Sequence, residues 1–205
     1  MSEDQAGNPE LNVAAWQPRC SVAGPGCRFV LWLQGCPMRC PGCVNPQFQP
    51  FVPRSVEAVD VVAARILGAP GIDGVTYSGG EPMEQARGLA VLSERLRSRG
   101  LTVVCYTGYT LDSLRRRGEP AIERFLRSID LLIDGPYMSE QATKLMWRGS
   151  SNQKAHFLSE AFHQFAADAD RAEAQVELAV GGASLSATGI WPAGFFERLT
   201  AGLKR

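Results

Sequence analysis

Short apolar runs alternate with amphipathic helical patterns along the middle of this chain. Leu89, Leu92 and Leu96 mark one of the helices, because they repeat at the spacing of a single helical face. Runs that are apolar throughout are typical of strands buried on both faces of a parallel sheet. The sequence therefore predicts an α/β fold in which helices cover a parallel sheet. The predicted strands are residues 27–34, 74–77, 101–106 and 129–133.

Capping residues predict where the helices begin. Ser55 is expected to cap the first helix and Thr110 a later one, since both hydroxyl side chains can accept from free backbone N–H groups. Pro120 suits the first turn of the helix that follows. The last third is less regular, and its predicted elements are a helix at 158–166, a strand at 176–180, a turn at Gly181 and Gly182, and a helix at 193–203.

Charge and hydropathy exclude some classes of partner. Lys and Arg number 21 and Asp and Glu also number 21, so no overall field draws the chain to nucleic acid or to an anionic membrane surface. The acidic start lacks the apolar core of a signal peptide, and no run of about 18 apolar residues occurs. We expect a cytoplasmic protein with reduced thiols and with no nucleic-acid or membrane partner.

Three cysteines at a C-x3-C-x2-C spacing lie within eight residues directly after the first predicted strand: Cys36, Cys40 and Cys43. Thiolates bunched in one loop suit a soft metal centre, whereas disulfide pairing would leave one thiol over. Structural zinc is the alternative, but zinc takes four ligands and no neighbouring cysteine pair or histidine completes that set. A 4Fe-4S cluster on three cysteines, with one iron open for chemistry, is the interpretation we favour. The remaining cysteines form no second cluster motif and are expected to be packing residues: Cys20, Cys27 and Cys105.

A second motif, Ser-Gly-Gly-Glu-Pro at residues 78–82, follows the next predicted strand. Together with the three-cysteine loop it resembles the radical S-adenosylmethionine superfamily. Within that superfamily the chain is similar to the activating proteins of anaerobic ribonucleoside-triphosphate reductase, a family of glycyl-radical enzyme activases. The segments that carry this similarity are Gly-Pro-Gly-Cys-Arg at 24–28, Cys-Pro-Gly-Cys-Val-Asn at 40–45, Tyr-Thr-Gly-Tyr at 106–109, Leu-Ile-Asp-Gly at 132–135 and Trp-Arg-Gly-Ser-Ser-Asn-Gln at 147–153.

The resemblance implies a fold and a chemistry. The fold is a partial, open (β/α)6 TIM-like barrel of the radical S-adenosylmethionine type with a single 4Fe-4S cluster. S-adenosylmethionine binds the open iron, and one electron cleaves it to methionine and a 5′-deoxyadenosyl radical. In activases this radical takes a hydrogen atom from one glycine of a glycyl-radical enzyme, which is expected here to be anaerobic ribonucleotide reductase. A flavodoxin or ferredoxin is the expected reductant.

The resemblance also implies roles for residues at the predicted strand ends. Glycines there let backbone groups approach a ligand closely, and Glu81 is expected to accept a hydrogen bond from the methionine ammonium. Residues 147–153 are expected at the rim of the site, and no residue is assigned a catalytic role. The expected cluster ligands are Cys36, Cys40 and Cys43, and the expected cofactor-binding residues are Ser78, Gly79, Gly80, Glu81, Tyr106, Thr107 and Asp134.

The length of the chain fits one domain, and residues 1–205 are expected to form a single domain of the radical S-adenosylmethionine type. Residues 1–20 are expected to be a mobile N-terminus, and residues 155–205 to complete the barrel or to shape partner contacts. That C-terminal part leaves a second function open, a radical enzyme that modifies a peptide or a small metabolite. A third is an iron–sulfur redox sensor, which would bind a cluster without cleaving the cofactor. His156 and His163 are expected to be solvated or packed rather than metal ligands.

Overall fold

The protein is described here by a computed structural model that covers residues 8–181, 184–191 and 195–203. Seven strands form one sheet in the order β3-β1-β2-β4-β5-β6-β7, and β8 pairs with β9 in a separate hairpin. The strands are β1 Glu10–Cys20, β2 Arg28–Leu33, β3 Ser55–Ala58, β4 Gly74–Gly79, β5 Thr102–Tyr106, β6 Leu131–Asp134, β7 Lys154–Phe157, β8 Val176–Gly181 and β9 Ser184–Gly189. The helices are α1 Val59–Leu67, α2 Ala86–Arg97, α3 Leu111–Arg117, α4 Pro120–Leu126, α5 Ala166–Ala169 and α6 Phe195–Leu203.

The centre of the large sheet is parallel, as the sequence predicts. Strands β2, β4, β5 and β6 run side by side in the same direction. Antiparallel strands flank them, with β1 and β3 on one side and β7 on the other. The carboxyl ends of the four parallel strands therefore share one edge, where α/β folds place their functional loops.

Both faces of the parallel strands are buried. One face packs against α1, α2 and α4 through a core that includes Leu31, Tyr77 and Leu89, and the Tyr77 hydroxyl accepts a hydrogen bond from Ser93 Oγ. The other face packs against segments from the last third of the chain, and this second cluster comprises Val104, Leu131, Ile133, Trp147, Phe162 and Ala169. Continuous burial explains why these strands are apolar throughout.

The N-terminal segment corrects one expectation. Residues 1–7 lie outside the described part of the chain, but residues 10–20, expected to be mobile, form β1 and pair with two neighbouring strands. Leu11 and Val13 are buried in the main core, with 0% and 2% of their surfaces exposed. Two register shifts interrupt the pairing of β1 with β2, and they obscure the alternating pattern that would have revealed the strand.

The first helix begins later than predicted. Ser55 starts strand β3, and Ala58 is the N-cap of α1. Backbone pairing with β1 draws residues 55–58 into the sheet. Two other predicted boundaries are confirmed, since Thr110 Oγ1 accepts from the N–H of Ser113 and Pro120 begins α4.

The last third adds an edge strand and a hairpin. The helix predicted at 158–166 is a 3₁₀ segment, Glu160–Phe165, followed by the single turn α5. Glu177 of β8 accepts hydrogen bonds from Gln17 Nε2 and from the N–H and hydroxyl of Ser21, which fastens the hairpin to β1. Gly182 and the predicted start of the final helix at residue 193 lie outside the described residues. Among those described, no helix is both long and apolar enough to cross a membrane.

A buried arginine joins the amino ends of the parallel strands. Arg28, at the start of β2, is fully buried. Its Nη2 donates to the carbonyls of Val75 (2.6 Å) and Thr102 (2.8 Å), and its Nη1 donates to Thr102 Oγ1 (2.6 Å). Burial lowers the pKa of this guanidinium to about 10, so it stays charged near neutral pH. Arg28 thus ties β2, β4 and β5 together at the edge opposite the functional loops.

Candidate active site

The three clustered cysteines lie on the loop that leaves the carboxyl end of β2, and residues 35–45 are called the cysteine loop below. Cys36, Cys40 and Cys43 are partly exposed free thiols. Within the described part of the chain, no three Cys, His, Asp or Glu side chains are gathered into a metal-binding group. The structure therefore places the three thiols on one short loop but does not converge them on a point.

The base of the cysteine loop is clamped by the motif that follows β4. The N–H of Gly80 donates to the carbonyl of Leu33 (2.7 Å), and the N–H of Glu81 donates to that of Gly35 (2.8 Å). Gly79 has φ +98°, and a Cβ there would lie 2.7 Å from the backbone nitrogen of Leu33. The two glycines were expected to admit a ligand, and the close approach that they make in this structure is to the base of the loop.

Gly80→Ala is expected to displace the base of the cysteine loop. A Cβ at residue 80 would overlap the carbonyl oxygen of Gly35, a backbone atom that cannot swing aside. We expect a loss of roughly 1–3 kcal/mol in unfolding free energy, together with faster alkylation of the loop thiols. Urea denaturation and alkylation kinetics of the cluster-free protein measure both effects. Ser78→Ala is the matched control, and an alkylation rate of Gly80→Ala equal to that of the control would contradict the clamp.

Glu81 is turned into the protein, with 1% of its surface exposed. Its Oε1 accepts from Thr107 Oγ1 (2.8 Å) and from the N–H of Met83 (2.9 Å), and its Oε2 accepts from the N–H of Gly108 (2.8 Å). Burial raises the pKa of this carboxyl to about 7 despite the three donors. In this structure Glu81 joins the ends of β4 and β5.

Glu81 also fixes a support for the cysteine loop. A Cβ added at Gly108 would lie 2.8 Å from Cγ of Met38, so the Met38 side chain rests directly on the backbone of residue 108. Met38 lies between the first two cysteines of the loop. The hydrogen bond from Gly108 to Glu81 therefore holds the surface on which this half of the loop is seated.

The other residues predicted for the site, at the ends of β5 and β6, contact different groups. Thr107 is bonded to Glu81, whereas Tyr106 packs against the second apolar cluster, and burial raises its pKa. Asp134, at the end of β6, accepts from the N–H of Leu111 (2.6 Å), and its Oδ2 lies 2.9 Å from His156 Nε2. Burial tends to raise the pKa of Asp134, but these partners outweigh it and hold the pKa below its usual range.

Sequence reasoning missed His156 as a partner of Asp134. The two residues are brought together by the antiparallel pairing of β6 with β7, in which Leu132 lies opposite His156 and Asp134 opposite Lys154. An alternating pattern over Lys154–Phe157 is the signal that would have indicated this strand, but four residues are too few to reveal it.

The donor set of the cysteine loop fits an iron–sulfur cluster. Three thiols on one strand-end loop are soft donors, and no residue of the loop competes as a hard carboxylate ligand. Backbone N–H groups also face the sulfurs: that of Asn45 lies 3.4 Å from Cys43 Sγ, and those of Met38 and Arg39 bond Cys36. Burial raises the pKa of Cys36 above its usual value, and these amides act in the opposite direction. Such N–H groups favour thiolate charge, which cluster binding requires.

Comparison with known proteins agrees with this geometry. Residues 22–156 match the family described as 4Fe-4S single cluster domain. The anaerobic ribonucleoside-triphosphate reductase-activating protein of Escherichia coli K12 is 31% identical over 161 residues, which cover 72% of this chain and 99% of that protein. The protein of the same name from Vibrio cholerae is 33% identical over 155 residues, with 71% and 97% covered.

A solved structure is also similar, though weakly. The crystal structure of QueE from Escherichia coli aligns with 53% of this chain and 57% of its own, at a TM-score of 0.40 and 18% identity. The assignment therefore depends on the sequence relatives and the cysteine loop. The chain belongs to the 4Fe-4S single cluster domain family and to the family of anaerobic ribonucleoside-triphosphate reductase-activating proteins.

Proposed function

We propose that this protein is a radical S-adenosylmethionine activase that installs a glycyl radical on an anaerobic ribonucleoside-triphosphate reductase. The observation that carries the proposal is the match to the Escherichia coli activating protein over 99% of that protein's length. The cysteine loop at the carboxyl edge of the parallel strands supports it, because that edge is where related folds perform chemistry.

Cys36, Cys40 and Cys43 would hold one 4Fe-4S cluster with an open iron. Once bound and reduced, the cluster would supply the electron for cleavage of S-adenosylmethionine to methionine and a 5′-deoxyadenosyl radical, and that radical would take hydrogen from a glycine of the partner. The protein itself holds the three thiolates in one loop and keeps them accessible to ligands. The clamp from Gly80 and Glu81 fixes the start of the loop, while the partial exposure of all three thiols leaves them open to a ligand and a partner.

Residues around the ends of β4, β5 and β6 form the proposed cofactor pocket. Ser78, Gly79 and Gly80 lie at the base of the cysteine loop. They would line the part of the pocket that holds the methionine moiety of S-adenosylmethionine. Glu81 uses three of the roughly four acceptor positions of a carboxylate, which leaves about one for an ammonium group. The remaining residues proposed for this pocket are Tyr106, Thr107 and Asp134.

We also propose a finer description of the fold. The sheet ends at β3 and β7, and its four parallel strands are taken as a shortened form of the partial (β/α)6 barrel. The hydrogen bonds of Glu177 to Gln17 and Ser21 support a single domain for the whole chain, with residues 155–205 shaping the partner surface. A flavodoxin or ferredoxin is the proposed reductant.

An anaerobic assay tests the proposed function. The cluster is reconstituted and reduced, S-adenosylmethionine and the candidate reductase are added, and 5′-deoxyadenosine and the electron paramagnetic resonance spectrum are recorded. We expect 5′-deoxyadenosine together with a glycyl doublet on the reductase. 5′-Deoxyadenosine without the doublet would favour the alternative, a radical enzyme that modifies a peptide or small metabolite. A reduced cluster with no cofactor cleavage would reject both and favour the redox sensor.

A further inference from the structure

The proposed function leaves residues 147–153 without a role, although they carry part of the family similarity. In the structure Gln153 closes this loop on itself and on the sheet. Its side-chain Oε1 accepts from the N–H groups of Gly149 (2.8 Å) and Ser150 (3.2 Å). Its Nε2 donates to the carbonyl of Gly135 (3.0 Å), the residue that directly follows β6. One side chain therefore links the loop to the end of a parallel strand.

Two further hydrogen bonds hold the same strand end. Asn152 Nδ2 donates to the carbonyl of Pro136 (2.8 Å), and the N–H of Met138 donates to Ser150 Oγ (3.1 Å). Ser150 is fully buried, so its hydroxyl is shielded from competing water. Backbone groups on both sides of Tyr137 are thereby fixed by residues 149–153.

The ring of Tyr137 lies between this loop and the cysteine loop. A Cβ at Gly149 would lie 3.1 Å from Cδ2 and 3.3 Å from Cε2 of the ring. On the opposite ring edge, a Cβ at Gly42 would lie 3.5 Å from Cε1. This is an ordinary contact distance for an added methyl group, and Cβ of Ser139 is equally near, so the ring lies beside Gly42 with space for the methyl group that glycine lacks. Gly42 has φ +73° and immediately precedes Cys43, so the ring lies next to the second half of the cysteine loop where its backbone turns.

We propose that residues 149–153 are a clamp that holds the second half of the cysteine loop in position through Tyr137, with Gln153 and Tyr137 as positioning residues. The inference rests on the proposed function, since it takes the loop to be a cluster-binding loop. The loop then has a separate support for each half. Met38, between the first two cysteines, rests on Gly108, and Gly42, between the last two, lies beside the ring of Tyr137.

The clamp is tested without cofactor, by hydrogen–deuterium exchange of the cluster-free protein over residues 38–45. Tyr137→Ala removes the ring and Gln153→Ala removes the three hydrogen bonds behind it. Each is expected to speed exchange in this segment about tenfold, as a local loss of ~1.4 kcal/mol would. Tyr137→Phe keeps the ring, and Ser151→Ala alters an exposed side chain of the same loop, so both controls should exchange at the wild-type rate.

A second readout follows cluster assembly. After reconstitution with iron and sulfide, Tyr137→Ala and Gln153→Ala are expected to retain less iron than the wild type. The electron paramagnetic resonance spectrum of their reduced cluster is expected to be broader. Tyr137→Phe is expected to match the wild type in both measurements. If Tyr137→Ala speeds exchange throughout the sheet, the variant has lost stability generally and does not test the clamp. Gln153→Ala then provides the test, because its side chain lies outside the core. Wild-type exchange over residues 38–45 in Gln153→Ala would overturn the clamp.

The two proposals fail in different ways. Faster exchange in the variants, combined with a wild-type protein that leaves S-adenosylmethionine intact, would reject the proposed function and keep the clamp. Cofactor cleavage by the wild type, with unchanged exchange in both variants, would reject the clamp and keep the function.

Discussion

Replacing Cys36, Cys40 or Cys43 by alanine is expected to abolish cluster assembly and cofactor cleavage, whereas Cys20→Ala is expected to retain both. Each of the three loop cysteines supplies one thiolate, and a cluster left with two protein ligands is not held. Cys20 differs in its surroundings. It has 1% of its surface exposed, and burial raises the pKa of its thiol to about 11, so it stays protonated and away from metal.

Iron content, cluster absorbance and 5′-deoxyadenosine measure this prediction after anaerobic reconstitution. The iron content of each loop variant should fall to the iron content of protein that was incubated without sulfide. Circular dichroism of the cluster-free variants checks that the fold is intact, since the three side chains are only partly buried. Full cluster absorbance in any loop variant, or loss of iron in Cys20→Ala, would show that the ligand set is wrong.

Gly74→Ala is expected to give the largest loss of stability among single methyl additions, about 3 kcal/mol. A Cβ at residue 74 would overlap the Thr102 carbonyl of the neighbouring strand, and it would lie 2.5 Å from Nη1 and 2.6 Å from Nη2 of Arg28. The guanidinium is fully buried and hydrogen-bonded on every side, so it has no space into which it can move. The strands must therefore separate to admit the methyl group.

The midpoint of urea denaturation of the cluster-free protein measures this loss. Gly202→Ala is the control, because a Cβ there meets no atom within 4 Å and alanine favours helix. We expect the control to match or slightly exceed the wild type. An unchanged midpoint for Gly74→Ala would mean that the joint around Arg28 is loose, contrary to its hydrogen bonds.

Sequence patterns sufficed for features that depend on neighbouring residues. The parallel strands are continuous apolar runs, and the cysteine loop follows β2 as predicted. The Ser-Gly-Gly-Glu segment lies at the carboxyl end of β4, which includes Ser78 and Gly79. Strand β1 was missed because its register shifts, after Val13 and after Gln17, end the alternation that Leu11 and Val13 begin. A strand with a regular period of two would have been visible.

Contacts between distant residues were beyond sequence patterns. The approach of His156 to Asp134 depends on the register of β7, and the hydrogen bond of Gln153 to Gly135 spans 18 residues. Neither leaves a periodic signal. The first joins two side chains on different strands, and the second bonds a backbone carbonyl, which places no demand on the type of residue that carries it. The approach of Gly79 and Gly80 to the base of the cysteine loop was not predicted for a related reason, since the group they approach is set by the packing of β4 on β2.

The position of Arg28 has a consequence for how this protein can change. Its hydrogen bonds secure the amino ends of the strands, while the cysteine loop and its two supports occupy the carboxyl ends. Mutations in the loops at the carboxyl ends are therefore expected to leave the joint at the other edge intact. Arg28 and Gly74 are therefore the fixed points that a library of loop variants should spare.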